Sequence, residues 1–509
     1  MVLRALPKMM RTLLLVILIA VFSTPGLFAQ SGLRPRGDVN CDWEVKIDDV
    51  SELIMKVLSG EEYHSLYTYA DDINNDKAVN IQDVVCLIEG LLKGDLAPMP
   101  SYSGTLPVLY INTDGHHDIV SKEEYLHADW WLDAMGIEGY ESFGSPEEPL
   151  EMLIKGRGNY TWNRLAKKSF RVKLDDKLPL LGLKKNRHFC LLAHADDHLA
   201  KLKDEVGFEL SRRIGLSYTP AQKPVEVVMN GVYIGLYFFC EKIRVDKDRV
   251  NIVEQENFET DSLCITGGWL IEIDNTQDEN TISVKERNGG AYWYDWLWIT
   301  VHSPDSLSAE QKRYIRELIT KANGCIYSRQ KLNAEWDKYI DIDTLAIFYV
   351  IQEIMDNVES FSGSCYMHKQ RGDDTKLLFG PVWDFGNSFN RGTNSTCHFI
   401  YEQPTNYFPH WIEEITKFPK FQLKVRRLWR QIYPSVANES ALDSFIDHFV
   451  DGIRIATRYD DVRWDLDTNL DKEKERFKNY FHDKVAWLNS QWDLDQFIDP
   501  DPQNINELK

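Results

Sequence analysis

The chain has 509 residues, a formal net charge of −21, and 43% hydrophobic and 12% aromatic residues. That length suggests about two to four domains, and the aromatic content excludes general disorder. So acidic a chain lacks the basic surface that nucleic acid or an anionic membrane requires, and its carboxylates favour divalent cations. The first segment, "MVLRALPKMMRTLLLVILIAVFSTPGLFAQ", has a basic start, an apolar run from Leu13 to Phe22 and small residues near Ala29. It reads as a secretory signal over residues 1–29. No later segment is apolar for long enough to span a bilayer, so the expected location is secreted, extracellular or cell-surface associated. The 8 cysteines are an even number that an oxidising compartment can pair, and none sits at CxxC zinc spacing.

Next comes an internal repeat. "DVNCDWEVKIDDVSELIMKVLSG" from Asp38 and "DINNDKAVNIQDVVCLIEGLLKG" from Asp72 align at a constant offset of 34 residues. Each copy offers oxygen donors at loop positions 1, 3, 5, 7 and 12, and the second copy also at position 9, the set a hard cation such as calcium takes. In the second copy these are Asp72, Asn74, Asp76, Ala78 (by its carbonyl), Asn80 and Asp83; in the first, Asp38, Asn40, Asp42, Glu44 and Asp49, with Lys46 at position 9. A helix should follow each loop, with Val50, Leu53, Ile54, Val57 and Leu58 on one apolar stripe and Val84, Leu87, Ile88, Leu91 and Leu92 on the other. Residues 37–94 resemble a type I dockerin, a small all-α module. The resemblance implies up to two calcium ions and docking to a cohesin on a scaffold or cell-surface protein. The lysine at position 9 should weaken the first site. Cys41 and Cys86, one per copy, are expected to pair.

A Pro/Ser/Gly linker, residues 95–107, leads to "PVLYIN" and "SKEEYLHADWWLD", both read as strands. "LEMLIKGRGNYTWNRLAKKSFRVKL" reads as two more strands around a Gly/Asn turn. Its cations Lys155, Arg157, Lys167, Lys168, Arg171 and Lys173 form a basic island in an acidic chain. Such an island either pairs with surface acids or cradles phosphate, for which Gly156 and Gly158 would allow close backbone approach. "ADDHLAKLKDEVGFELSRRIG" is an amphipathic helix closed by Gly215, with Asp196 and Asp197 as N-terminal caps. "PVEVVMNGVYIGLYFFCEKI" is a hairpin turning at Asn230 and Gly231. "IDTLAIFYVIQEIMDN" is a helix that delivers Asp356 and Asn357 into a loop, and "GPVWDFGNSF" carries Asp384, Phe385 and Gly386.

Alone, an Asp-Phe-Gly tripeptide says little. In order over about three hundred residues, "IKGRGNYTW", "KKSFRVKL", "HADDHLAKLKDEVGFELSRRIG", "PVEVVMNGVYIGLYFFCEKIRVDKDRVNI" and "GPVWDFGNSF" resemble the CotH (spore coat protein H) kinase-like family. The resemblance implies an α+β, atypical protein-kinase-like two-lobed domain over residues 108–430, using ATP with magnesium or manganese. It assigns Asp356 to the catalytic loop and Asp384, with Asn357, to the metal. Lys155, Arg157, Lys168 and Arg171 would contact the phosphates, Glu205 would pair with Lys168, and Glu241 would lie in the hinge beside adenine. Two departures stand out: Gly386 and Ser364 occupy positions where relatives carry Asp and Asn. Glu359 is a substitute ligand or a solvent-facing acid. Residues 431–509 read as a helical extension contributing packing.

The function expected is therefore a secreted phosphotransferase acting on an extracellular protein and tethered to a cohesin-bearing complex. Two alternatives remain: a catalytically weak pseudokinase within a polysaccharide-degrading assembly, and a carbohydrate-active enzyme whose many Trp and Tyr stack on sugars.

Overall fold

The computed structural model describes residues 34–59, 70–76, 78–96, 101–286, 295–331, 334–390, 397–402 and 408–492. The expected signal segment lies outside them. Two units divide the chain: one takes residues up to Ala195 with Lys223–Cys240 and Ile453–Thr468, and the other takes Asp196–Gln222, Glu241–Gly452 and the rest from Asn469. Helix and strand are mixed in this chain, and among the described residues no helix is long and apolar enough to cross a membrane.

In the first unit the repeat forms helices α1 (Ile47–Ser59) and α2 (Ile81–Lys93). Asn80 caps α2 through a reciprocal pair with Asp83, and Gly94 ends it in a left-handed turn. Val39, Val50, Leu53, Ile73, Val84 and Leu87 make their shared core. The stripe written in the sequence is wider than the buried seam: Ile54, Leu58 and Leu92 are exposed. Two helices facing only each other can cover one narrow band apiece. Cys41 and Cys86 are free thiols, which corrects the expected bridge. Cys86 packs against the helical core, whereas Cys41 accepts a hydrogen bond from Arg34.

Beyond the linker, seven strands close into a barrel in the order β1-β2-β3-β4-β5-β7-β6. They are β1 (Val108–Thr113), β2 (Leu126–Asp133), β3 (Leu150–Arg157), β4 (Ser169–Leu178), β5 (Asn186–Leu192), β6 (Gln222–Met229) and β7 (Val232–Glu241), with the short helix α3 (Tyr160–Arg164) between β3 and β4. β6 closes the barrel parallel to β1, with Val108 opposite Glu226 and Ile111 opposite Met229. Closure removes the open edges that exposed strands leave. Period-2 alternation sends Met152, Ile154, Phe170, Val172, Phe189 and Leu191 into the core. The β6–β7 turn is the expected one, with Asn230 and Gly231 at φ 52° and 74°.

Segment 453–468, the end of a long helix, is bonded to the same barrel. Asp460 accepts from Lys167 at 2.7 Å and from the Leu236 amide at 2.9 Å. A side chain at Gly235 (φ +110°) would strike the Asp460 carboxylate.

The second unit has α4 (Lys203–Ile214), a five-stranded sheet, and helices α5 (Ala309–Ile326), α6 (Ile342–Ile354), α7 (Ile412–Ile415), α8 (Pro419–Ile432) and α10 (Leu470–Trp492). α9 (Asp443–Trp464) contributes its residues up to Gly452 to this unit. The sheet runs β12-β11-β8-β10-β9, from β8 (Trp269–Ile273), β9 (Thr281–Lys285), β10 (Trp296–Ser303), β11 (Cys365–Lys369) and β12 (Leu378–Phe379). α4 begins later than its apolar pattern suggests, because Ala200 and Lys201 are left-handed at φ +57°. α6 is buried on nearly every side, with Leu345, Phe348, Tyr349, Val350, Ile351 and Ile354 all in the core. A helix apolar all round belongs at the centre, and α4, α8 and α10 pack against it. Trp269, Trp336, Trp411 and Trp429 are fully buried here, so these rings are core and offer no stacking platform for sugars.

Candidate functional site

The two repeat loops share one hydrogen-bond plan. Asp49 accepts from the amides of Val39 (2.7 Å), Asn40 (3.2 Å) and Lys46 (2.7 Å). Asp83 accepts from Ile73 (2.8 Å), Asn74 (3.3 Å) and Asn80 (2.8 Å). Asp38 and Asp72 each take the amide four residues on, at 3.1 Å. This wraps each loop around its carboxylates. In the second loop, oxygens of Asp72, Asp76 and Asp83 lie within 4.8 Å of one another, a donor set that fits calcium. In the first, the Lys46 ammonium sits on Glu44 and 3.7 Å from Asp42. Burial, opposed by Arg34 and reinforced by Asp49, pushes the Asp38 carboxyl up to about 6. Asn40 and Asn74 orient the loops, each accepting the amide two residues on.

On the barrel, Lys155 and Arg171 are cross-strand neighbours, and Arg157 is opposite Ser169. Lys155 lies 4.8 Å over the Tyr125 ring and donates to the Glu123 carbonyl at 3.2 Å. Burial, then the Arg171 charge, lower its pKa. Lys168 stands one residue before β4, not within it, and its ammonium caps the Trp162 carbonyl. Trp162 also fills the space a side chain would need at Gly156, so this glycine serves local packing rather than an open cradle. Of the adjacent lysines, Lys167 is the buried one, taken by Asp460.

The second unit gathers the remaining site residues. Asp356 and Asn357 follow α6, Asp356 at φ +49°, and Asp384 lies at φ +58°. Left-handed non-glycine residues are uncommon, and such strain concentrates at functional positions. The Asn357 side chain donates to Gln352 at 3.0 Å and to the Asp384 carbonyl at 3.2 Å, while Asn357 and Ser388 form an antiparallel bridge. The two segments are thereby fixed to each other. Asp384 is exposed; its carboxylate accepts from Ser364 and from the Gly386 amide, each at 3.4 Å. The buried Oδ1 of Asn357 has no hydrogen-bond partner among the described residues. An exposed carboxylate, a hydroxyl and an orphaned amide oxygen fit magnesium or manganese, which need few protein ligands. Glu359 is half-buried, held by Asn275 at 2.8 Å and by Asn387.

α4 buttresses this loop. Asp197 accepts from the Leu199 and Lys203 amides at 2.8 and 3.1 Å, which ties down the approach to α4, although the N-cap itself is Leu202, without a side-chain cap bond, and neither expected aspartate occupies it. Lys203 donates to the Gly386 carbonyl at 2.7 Å, Asp204 receives the Phe385 amide at 2.7 Å, and the Phe385 ring fills the space beside Gly207. Glu205 accepts from Gln222 at 3.0 Å, and Glu241 from Tyr218 at 3.2 Å and the Ala221 amide at 3.3 Å. Glu205 belongs to this unit and Lys168 to the other.

Three groups have no counterpart in the sequence reading. Asp204 sits among several acids in "KLKDEVGFE", and nothing local marks it as the one that meets Phe385. Lys484, in the tail assigned to packing alone, reaches Asp356 at 3.1 Å and Glu353 at 3.2 Å. His398 also approaches Asp356, at 3.3 Å.

Residues 154–488, more than half of the chain, match the model of a family described as CotH kinase protein. No curated protein matches the sequence.

Proposed function

The chain belongs to the CotH kinase protein family, and from that premise we propose that it is an ATP- and magnesium-dependent phosphotransferase acting on an extracellular protein. One observation supports the reading: Asn357 ties the Asp356 turn to the Asp384 segment, so the two residues that would serve catalysis and metal binding are carried on linked segments. Phosphoryl transfer asks a protein mainly for positioning and charge neutralisation, which such an arrangement suits. Asp384 and Asn357 would hold the metal, and Asp356, whose side chain is buried, would serve as the catalytic-loop acid from within that loop. Lys155, Arg157, Lys168 and Arg171 would meet the phosphates, and Glu241 would line the adenine hinge. Bound magnesium nucleotide would supply the phosphoryl group and neutralise its charge. The barrel unit and the helix-rich unit would then correspond to the small and large lobes of a kinase-like domain.

The repeat would be a dockerin that binds calcium and tethers the enzyme to a cohesin on a surface complex; the convergent carboxylates of Asp72, Asp76 and Asp83 support this. The second reading, a pseudokinase organising such a complex, is favoured by Ser364 and Gly386, which bring only a hydroxyl and an amide to Asp384. Transfer of labelled γ-phosphate by the purified chain, with magnesium or manganese and a panel of co-secreted proteins, separates the two. Label that disappears in both Asp356→Ala and Asp384→Ala supports the phosphotransferase; a folded chain that binds ATP without transferring it supports the pseudokinase.

A further inference from the structure

The side chain of Lys484 is completely excluded from solvent, as are those of the two acids it faces. Its ammonium is 3.1 Å from Asp356 Oδ1 and 3.2 Å from Glu353 Oε2, donates to the His398 carbonyl at 2.5 Å, and lies 5.2 Å from the centre of the Trp487 ring. His398 Nε2 is 3.3 Å from the same Asp356 oxygen. Asp356 Oδ1 is therefore held by Lys484 on α10, with the His398 ring nitrogen near it but making no hydrogen bond to it, and both residues lie far along the chain.

For stability alone this is a poor solution. Dehydrating two carboxylates and an ammonium costs most of what their attraction returns, and apolar side chains of similar volume commonly stabilise a core as well or better. The cluster also sits at the end of α6, where Asp356 is strained at φ +49° and the next residue, Asn357, makes the link to Asp384.

We infer that Lys484 is a positioning residue for Asp356: by engaging Oδ1 it fixes the carboxylate's orientation and balances the charge of the Glu353–Asp356 pair. The inference rests on the phosphotransferase reading above. On that basis α10 is part of the catalytic apparatus, although no residue of it need touch the nucleotide.

The test is steady-state phosphoryl transfer by the full chain and its variants Lys484→Met, Asp356→Asn and the double mutant. Lys484→Met should lower kcat about a hundredfold, within the range a positioned proton-transfer group contributes, and leave KM for ATP within about twofold. Since Lys484 acts through Asp356, the double mutant should be no slower than Asp356→Asn alone, to within about twofold. Lys484→Arg, which keeps the charge, should recover part of the rate. If Lys484→Met does not fold, the same cycle is run with Glu353→Gln added, which removes one acid together with the base. An active wild type whose Lys484→Met variant keeps full kcat, or whose losses multiply in the double mutant, overturns the inference alone. A wild type with no transfer activity overturns the phosphotransferase reading and this inference with it.

Discussion

Asp204 occupies the first turn of α4, half-buried, with the Phe385 amide on its carboxylate at 2.7 Å. Burial first, and the Asp384 charge second, push its carboxyl up to about 7. An acid raised above its unfolded value favours the native state below that unfolded value, about 4 for Asp, and the advantage is lost as pH rises through about 7. Asp204→Asn keeps an acceptor for the amide and removes the titration. Across that window the variant should gain on the wild type by up to roughly 1.4 kcal/mol per pH unit, read from urea unfolding at several pH values. Parallel pH curves would refute the assignment. Glu286 behaves in the opposite sense. Burial pushes its carboxyl up, but hydrogen bonds from His410, Tyr327 and the Trp411 amide outweigh burial and hold it below the usual range. Its contribution is present above about 4.3, the ordinary Glu value, and is lost as pH falls through the lowered one. Glu286→Gln should cost about 1–3 kcal/mol at neutral pH and flatten the acid side of the stability profile; an unchanged acid limb would count against it.

Among the elements, α4 depends on having no side chain at Gly207. A methyl group there would lie 2.3–2.5 Å from ring carbons of Phe385, a contact only movement can relieve. Alanine favours a helix over glycine by about 1 kcal/mol, yet overpacking costs about 1–3 kcal/mol. Gly207→Ala should therefore lower the denaturation midpoint, and a raised midpoint would show that Phe385 moves aside freely. In the first repeat loop, Lys46 places an ammonium 3.7 Å from the Asp42 carboxylate. At that separation a charge interaction in water is worth about 1 kcal/mol. Replacing the lysine by the asparagine of the second copy should tighten calcium at the first loop about fivefold, measured by titration calorimetry; equal affinities would remove Lys46 as the cause of asymmetry between the loops.

For the molecule as a whole, contacts between residues hundreds of positions apart decide the architecture. Lys167 and Asp460 meet at 2.7 Å with nearly all of both side chains buried, joining the barrel to segment 453–468. Lys167→Met would strand a buried carboxylate and should cost about 3–5 kcal/mol. Lys167→Met combined with Asp460→Leu should restore much of that loss. Chemical denaturation of the four-member mutant cycle measures the coupling, and simple additivity would mean the pair does not hold this segment.

The sequence by itself determined the repeat, the barrel strands that were read and several of the helices, whereas the sheet β8–β12 and helix α5 were not read from it. The offset repeat, the period-2 strands, the Asn230–Gly231 turn, the glycine that ends α4 and the two loops carrying Asp356 and Asp384 were all legible, because periodicity and turn chemistry are written within a few residues. Tertiary structure decided the rest. β6 closing onto β1, Lys167 rather than Lys168 being the buried lysine, Trp162 filling the space at Gly156, Asp204 meeting Phe385, and Lys484 arriving at Asp356 all follow from desolvation and packing between distant segments. A lysine in a charged tail has the same local signature whether it faces water or two buried acids, so only the folded chain separates the two.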